Sequence, residues 1–393
     1  MISHRLPAPT RLEAITRLYD LEVLAEDFAA KTGIAPELPS HWDPKPAISA
    51  RMETWIPPPP KVQGIVEYVY PGDLAIDSRI VRRIGETPDR GMLITPSGTT
   101  SIVNVCSYLR NIGIRELIIV TPAYFTVAPV AEAFGIFVSH LDVSWRDGRY
   151  ELPLEIRSSE RPAAVWLTFP VYGASVYFSP SDIGRAIDGL ADEVAVVVDE
   201  SLSYPDRENL SETRSMDRVI RISSPHKSLC FNGEKVSFVT FPRHLTDDID
   251  AWSDCYAGGI GIAGIRALQF LAGDAFELVA AKSRNLIYEN RKALAAIVSR
   301  HPEVCMDKDT DGHFVTLYWP GLPASLGLDH RFLSRLLSES YALPIPSIRN
   351  RHPVRCGFCF RVNLFRMDEA GLGGVSRLIE AIDCFEELAA DTA

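Results

Sequence analysis

The sequence contains no run approaching the ~20 consecutive apolar residues a membrane-spanning helix needs. Its opening residues, MISHRLPAPTRLEAITRLYD, hold no apolar core and no small-residue cleavage site, so no secretory leader is expected. Cysteine is sparse: seven are scattered at 106, 230, 255, 305, 356, 359 and 384, an odd number with one close pair. That is not a disulfide framework, and a reducing, cytoplasmic setting is the expectation. Positive charge is in the minority, with 40 basic residues against 51 acidic and a formal net charge of −11. A general nucleic-acid binder would show the opposite balance, so neither nucleic acid nor membrane is expected as a partner. No internal repeat is visible.

What is present is the composition of a folded soluble chain: 46% apolar, 23% charged and 9% aromatic residues. A chain of 393 residues is long enough for two domains, or one large and one small. Residues 1–61 read as irregular and proline-rich, apart from one amphipathic helical stretch from Arg11 to Thr32. Pro57 to Pro60 read as a stiff polyproline arm. Residues 62–295 form the expected large domain. There, short β-branched runs (MLITPS, ELIIVTP, IFVSHLDV, AAVWLTFP, VAVVVDE, VIRISS, VSFVTFP) alternate with helical patterns. Strands that apolar are buried on both faces, which implies an α/β fold with a parallel or mixed sheet between helices. Residues 296–393 read as a smaller α+β domain, and residues 1–61 are expected to pack with it.

In an open α/β sheet, ligands sit beyond the carboxyl ends of the strands. MLITP is followed by Ser97, Gly98, Thr99 and Thr100 and then a helix. Small hydroxyl residues around a glycine at a helix start can bind an anion, or Ser97 or Thr99 can simply cap the helix. Asp199 ends the very apolar VAVVVDE strand, where a carboxylate is costly without a cationic partner. Lys227 follows the VIRISS strand and is read as lying in the loop before the next one. A lysine sequestered from water has a lowered pKa and can act as a nucleophile or form a Schiff base; a surface-loop lysine is the plainer alternative.

The order of these pieces resembles the fold-type I pyridoxal-phosphate enzymes, in particular the class I/II aminotransferase group. The pieces are Ser97-Gly98-Thr99, Tyr124 after a strand and proline, Asp199, and Lys227 28 positions later. Ser224, Lys227, Gly233 and Lys235 then match S-x-x-K-x-x-x-x-x-G-x-basic, and Arg361 sits in CFRVNLF. The resemblance implies a large domain with a mixed, mostly parallel seven-stranded sheet, a small α+β domain, pyridoxal 5′-phosphate as cofactor and a homodimer sharing its site. It implies that Lys227 carries the internal aldimine and moves the Cα proton through a quinonoid, and that Asp199 pairs with the pyridine N–H. It further implies that Tyr124 stacks on the ring and that Ser97, Gly98, Thr99, Ser224 and Lys235 hold the phosphate. Arg361 would grip the substrate carboxylate, and Tyr70 or Tyr68 would reach the neighbouring subunit's phosphate. Trp42, in His41-Trp42-Asp43, lies where such proteins place a segment over the substrate.

Three positions depart from that pattern. Tyr172 stands in the Phe169–Ser175 stretch where an asparagine usually bonds the cofactor's phenolic oxygen. Leu202 stands where a tyrosine usually follows the aspartate, with Tyr204 two positions on. Lys235 replaces the phosphate-binding arginine. The implied default reaction is transamination of an amino acid. β- or γ-elimination, replacement, cyclisation or oxidation is the alternative that the departures favour, as in specialised biosynthesis. A non-catalytic ligand-binding homologue is the second alternative.

Other signals carry blander readings. Asp307–Gly312 copies the start of an EF-hand loop, but Tyr318 stands where a glutamate is needed, so a polar turn and no metal is expected. Cys356 and Cys359 are a lone pair read as strand-packed thiols. His226 either lines the site or packs. Gly258, Gly259 and Gly261 mark a turn that could offer backbone donors to a partner's phosphate. An acidic substrate would need a second arginine, and Arg349, Arg351, Arg355 and Arg366 are the candidates.

Overall fold

The computed structural model describes residues 13–56, 77–87, 89–146, 149–152, 161–190, 194–204, 218–247, 249, 260–308, 310–352 and 356–390. Pro57 to Pro60, Tyr68, Tyr70, Gly258, Gly259 and Arg355 lie outside them. The amphipathic stretch forms α1 (Glu13–Thr32). The prolines that followed suggested irregular chain, but Pro46 opens a second helix, α2 (Pro46–Glu53). Proline suits that position because the N–H it lacks would have no helical partner there. Asp77 caps α3 (Ser78–Arg83) by accepting the Arg79 N–H.

The large sheet then forms in chain order. β1 (Gly91–Thr95) leads into α4 (Gly98–Asn111), β2 (Glu116–Thr121), α5 (Val127–Ala133) and β3 (Phe137–Asp142). A short hairpin of β4 (Ser144–Arg146) and β5 (Arg149–Glu151) precedes β6 (Ala163–Thr168) and α6 (Pro180–Asp188). β7 (Ala195–Asp199), β8 (Val219–Ser223), the single turn α7 (Pro225–Ser228) and β9 (Ser237–Phe241) complete it. The seven strands run in the order β1-β9-β8-β7-β6-β2-β3. β9 is antiparallel to both neighbours, and the other pairings are parallel.

Burial follows position. Every residue of central β6 is buried, whereas β3 at the sheet edge is half open. Trp166 in β6 is wholly buried, and its truncation to alanine would cost about 3–5 kcal/mol. This is the mixed, mostly parallel sheet that the β-branched runs implied.

Two helices, α8 (Ile262–Ala272) and α9 (Ala275–Val298), lead to a second sheet. It is antiparallel, with strands β10 (Cys305–Met306), β11 (Phe314–Trp319) and β12 (Phe358–Asn363), and it packs with α10 (His330–Ser340) and α11 (Glu369–Ala390). Trp319 stacks on Phe360 at 5.4 Å, and Phe332 meets Phe358 edge-on at 5.3 Å. Both chain ends meet here. Glu37 bridges Ala342, and Lys45 pairs with Glu37 and Asp368, each at 2.7 Å.

Candidate active site

Because the parallel strands share a direction, the residues after β1, β2, β6, β7 and β8 lie along one edge of the sheet. Antiparallel β9 begins at the same edge, with Ser237. The first groups to meet are Gly98, Ser224 and Lys227. A Cβ placed on Gly98 would lie 3.0 Å from Lys227 Nζ and 3.0 Å from Ser224 Oγ, so glycine is what lets α4 start this close. Ser97 does cap α4: its hydroxyl accepts the Thr100 N–H at 3.1 Å. Capping leaves the N–H groups of Gly98 and Thr99 at the helix start without helical partners. The two readings of this motif are therefore compatible.

Lys227 is not in a loop. It lies in α7, where Pro225 at the first position fixes a helical turn. Burial lowers the pKa of its amine, Asp199 pulls it upward, and Lys235 adds to the lowering. Its Nζ lies 5.0 Å from the centre of the Tyr124 ring. Tyr124 is hydrogen-bonded to Thr99 through its hydroxyl, and burial raises its pKa to about 12. Beneath Ser224 runs a chain of buried hydroxyls: Ser224 to Ser237 at 2.7 Å, Ser237 to Ser101 at 3.0 Å, and Ser101 to Thr95 at 2.8 Å. This chain fixes the floor. Lys235 stays exposed at its border.

Asp199 is buried at the end of β7. Among the described residues its one hydrogen bond comes from the Ser201 N–H, at 3.0 Å, and no cation pairs with it. A carboxylate so placed has an unfilled demand for a donor.

Above this floor stands an aromatic roof around Arg361 of β12. Its guanidinium lies 4.6 Å from the Trp42 ring, 4.8 Å from Phe314 and 5.6 Å from Tyr172. It donates from Nε to Ser40 O at 3.1 Å and from Nη1 to the Tyr172 hydroxyl at 3.0 Å. No carboxylate among the described residues pairs with it. The loop carrying Tyr172 is held against the small sheet by Thr316 Oγ1, which donates to Gly173 O at 3.1 Å, and by Ser175 Oγ, which accepts the Phe314 N–H at 3.2 Å. Gly173 has φ +83°, the left-handed region that favours glycine. A cavity of about 240 Å³ opens between Trp42, Tyr124, Tyr172 and Arg361. A larger cleft of about 1110 Å³ between α2 and α8 touches His226 but not Lys227, Asp199 or Arg361.

The departures from the motif now have locations. Leu202 is buried beside Tyr172 and Phe314 and brings no hydroxyl to the site. Tyr204 does not substitute for it: its ring lies under Arg284, at 5.0 Å, in a different core cluster. His226 packs rather than reaching the site, because its Nδ1 bonds Val236 O at 2.7 Å and burial lowers its pKa to about 4. Gly261 only precedes α8. Asp307 is no plain surface turn. It is buried, accepts the Tyr318 hydroxyl at 2.6 Å and the Thr316 N–H at 3.1 Å, and burial raises its pKa to about 7. Cys356 and Cys359 are buried free thiols.

Sequence reasoning missed Ser40, Phe314 and His313. Ser40 ties the N-terminal segment to β12: its hydroxyl donates to Arg361 O at 2.6 Å and accepts the Ile345 N–H at 2.9 Å. Its place two positions before Trp42 was the one signal. His313 is buried against Phe314, and burial lowers its pKa to about 3.

No known family model matches the sequence, and no curated protein matches it either. Solved structures do match over nearly the whole chain. An N-succinyldiaminopimelate aminotransferase from Mycobacterium tuberculosis superposes with TM-score 0.73 at 17% identity, covering 95% of this chain and 100% of its own. A methionine aminotransferase from Escherichia coli gives 0.72 at 16%, covering 95% and 99%. The fold is that of the aminotransferases. An aspartate aminotransferase from Thermotoga maritima gives 0.72 at 17%, covering 96% and 99%. The fold-type I architecture that the motif order implied is therefore the one this chain adopts.

Proposed function

We propose that this protein is a pyridoxal-phosphate enzyme acting at Cα of an amino acid, with amino-group transfer as its default reaction. The observation that carries the reading is the meeting of Lys227 Nζ, Gly98 and Ser224 at the start of α4, with a Cβ at Gly98 only 3.0 Å from both side chains. A phosphate fits the N–H groups of Gly98 and Thr99, the Ser224 hydroxyl and the Lys235 charge. Buried Asp199, lacking a cation, fits a protonated ring nitrogen. When bound, the cofactor supplies an electron sink next to the substrate nitrogen.

The chain's own residues do the rest. Lys227, its pKa lowered by burial, is suited both to bond an aldehyde carbon and to take the Cα proton at Nζ and return it. Asp199 keeps its partner protonated. Tyr124 would cover the ring, and Arg361 would hold the α-carboxylate with a planar fork that lysine cannot copy. Trp42 and Phe314 exclude water around that ion pair, which strengthens it. A homodimer with Tyr70 or Tyr68 reaching the neighbouring copy's phosphate completes the proposal, supported by the motif order, and the scattered cysteines support a cytoplasmic setting. Among the described residues, no helix is long and apolar enough to cross a membrane.

One observation favours a second reading. Leu202 brings no hydroxyl to the site, which leaves Tyr172, whose oxygen accepts from Arg361 while its O–H stays free to donate, as the one phenol of the two positions. A weaker set of donors to the cofactor's phenolic oxygen favours using the Cα carbanion for elimination, replacement, cyclisation or oxidation. The test is Cα–H exchange, followed by NMR in deuterated water with the cofactor-loaded protein and a panel of amino acids. We expect exchange that Lys227→Ala abolishes and amino transfer that depends on an added keto acid. Exchange with release of a side-chain group instead selects the second reading. No exchange with any amino acid contradicts both.

A further inference from the structure

The cavity beside Arg361 is lined by groups of unlike chemistry. Arg361 and Tyr172 line it together with the apolar Leu21, Leu38 and Leu343. Asn350 and Glu22 also line it. Asn350 is 8% exposed, its Oδ1 is shut off from water, and its side-chain amide makes no hydrogen bond among the described residues. A buried amide in that state is costly, and a water or a ligand would satisfy it. Glu22, on the exposed rim, has no ion-pair partner among the described residues.

An amide can present either its oxygen or its N–H₂ to the cavity, but a carboxylate only accepts. Glu22 is the one carboxylate among the described lining residues. Among the described residues no second arginine offsets it. Arg349 is tied to Gly327 O at 2.9 Å and Arg366 to Asp43 O at 2.8 Å, and neither these nor Arg351 lines the cavity. His41 lines it too, but burial lowers its pKa, so it adds no positive charge near neutral pH.

Resting on the function proposed above, we infer that the substrate is an amino acid with an aliphatic side chain ending in a cationic donor, an amine or guanidinium. Arg361 takes its α-carboxylate, the three leucines take the methylene stem, and Asn350 and Glu22 take the distal nitrogen. Asn350 is thus a specificity-determining residue.

The test is equilibrium binding by calorimetry to the pyridoxal-phosphate-loaded protein. The probes are α-methylornithine, α-methyllysine, α-methylnorleucine and α-methylglutamate, which lack a Cα hydrogen and do not turn over. We expect one of the cationic probes to bind at least about tenfold tighter than α-methylnorleucine, with α-methylglutamate weakest. Asn350→Leu should erase most of that preference and Asn350→Asp should increase it, while Glu22→Gln, on the exposed rim, should reduce it only about threefold. Equal or tighter binding of α-methylnorleucine or α-methylglutamate overturns the inference, as does failure of both cationic probes to bind. Borohydride labelling of Lys227 in the same preparation separates the failures. Label without cationic preference overturns this inference alone, and absence of label overturns the proposed function with it.

Discussion

Two arginines on strands of this protein are almost equally buried, Arg221 at 2% exposure and Arg361 at 3%, yet their charges are handled differently. Arg221, on β8, is enclosed by carboxylates. Glu86 pairs with it at 2.8 Å, Glu200 bonds its Nε at 2.9 Å, and Gly85 O accepts at 3.0 Å. Arg361 has one carbonyl, one phenol and three aromatic rings, and no carboxylate among the described residues. A complete buried pair closes on itself and leaves nothing for a ligand. An incomplete one keeps a charge available, stabilised in part by ring faces until an anion arrives. The carboxylates divide in the same way. Asp307 sits among donors with its pKa raised to about 7, whereas Asp199 has a single N–H and faces Lys227.

The comparison can be broken most forcefully at Arg221. Arg221→Ala leaves buried Glu200 without its cation and should cost about 3–5 kcal/mol in chemical denaturation. Arg361→Ala should cost far less stability, because no carboxylate is left unpaired. Equal losses would erase the distinction. Next comes Asp307. Its folded-state pKa of about 7 lies above the ordinary aspartate value of 3.8, so its contribution is full below about pH 4 and is lost as pH rises through 7. The stability difference between wild type and Asp307→Asn should shrink by on the order of 3 kcal/mol between pH 4 and 8. A flat difference would mean that Asp307 is already ionised.

Arg361→Lys sharpens the functional side. It keeps the charge but loses the fork, and kcat/KM should fall roughly 30-fold, about 2 kcal/mol, with the unfolding midpoint little changed. A fall in stability with unchanged kcat/KM would make Arg361 structural. The smallest effect belongs to Tyr172→Phe, which removes one hydrogen bond to Arg361. The affinity for the substrate carboxylate should drop by about 1 kcal/mol, read as a rise in KM.

The β-branched runs from MLITP to VSFVTFP were legible as strands because strands buried on both faces need apolar residues throughout. The placement of Ser97, Asp199 and Lys227 along one edge of the sheet was legible because each directly follows or ends a strand. The local form around Lys227 was not, because a Pro-His-Lys-Ser run carries too little periodicity to declare one helical turn. Asp307 looked like a polar turn because nothing nearby in sequence announces Tyr318 Oη or the Thr316 N–H as partners. The carbonyl of Ser40 meets Arg361, and Leu21 meets Asn350 across the cavity, only because the two chain ends pack together. Contacts that span 300 residues leave no local pattern.

The account stands on Lys227 being the amine that the floor of the site is built around. The most direct measurement is borohydride reduction of the protein loaded with pyridoxal phosphate, followed by mass-spectrometric peptide mapping. The account predicts a visible absorption band that bleaches on reduction, with the pyridoxyl group on Lys227 and not on exposed Lys235. No band after loading, or label spread over surface lysines, would contradict it.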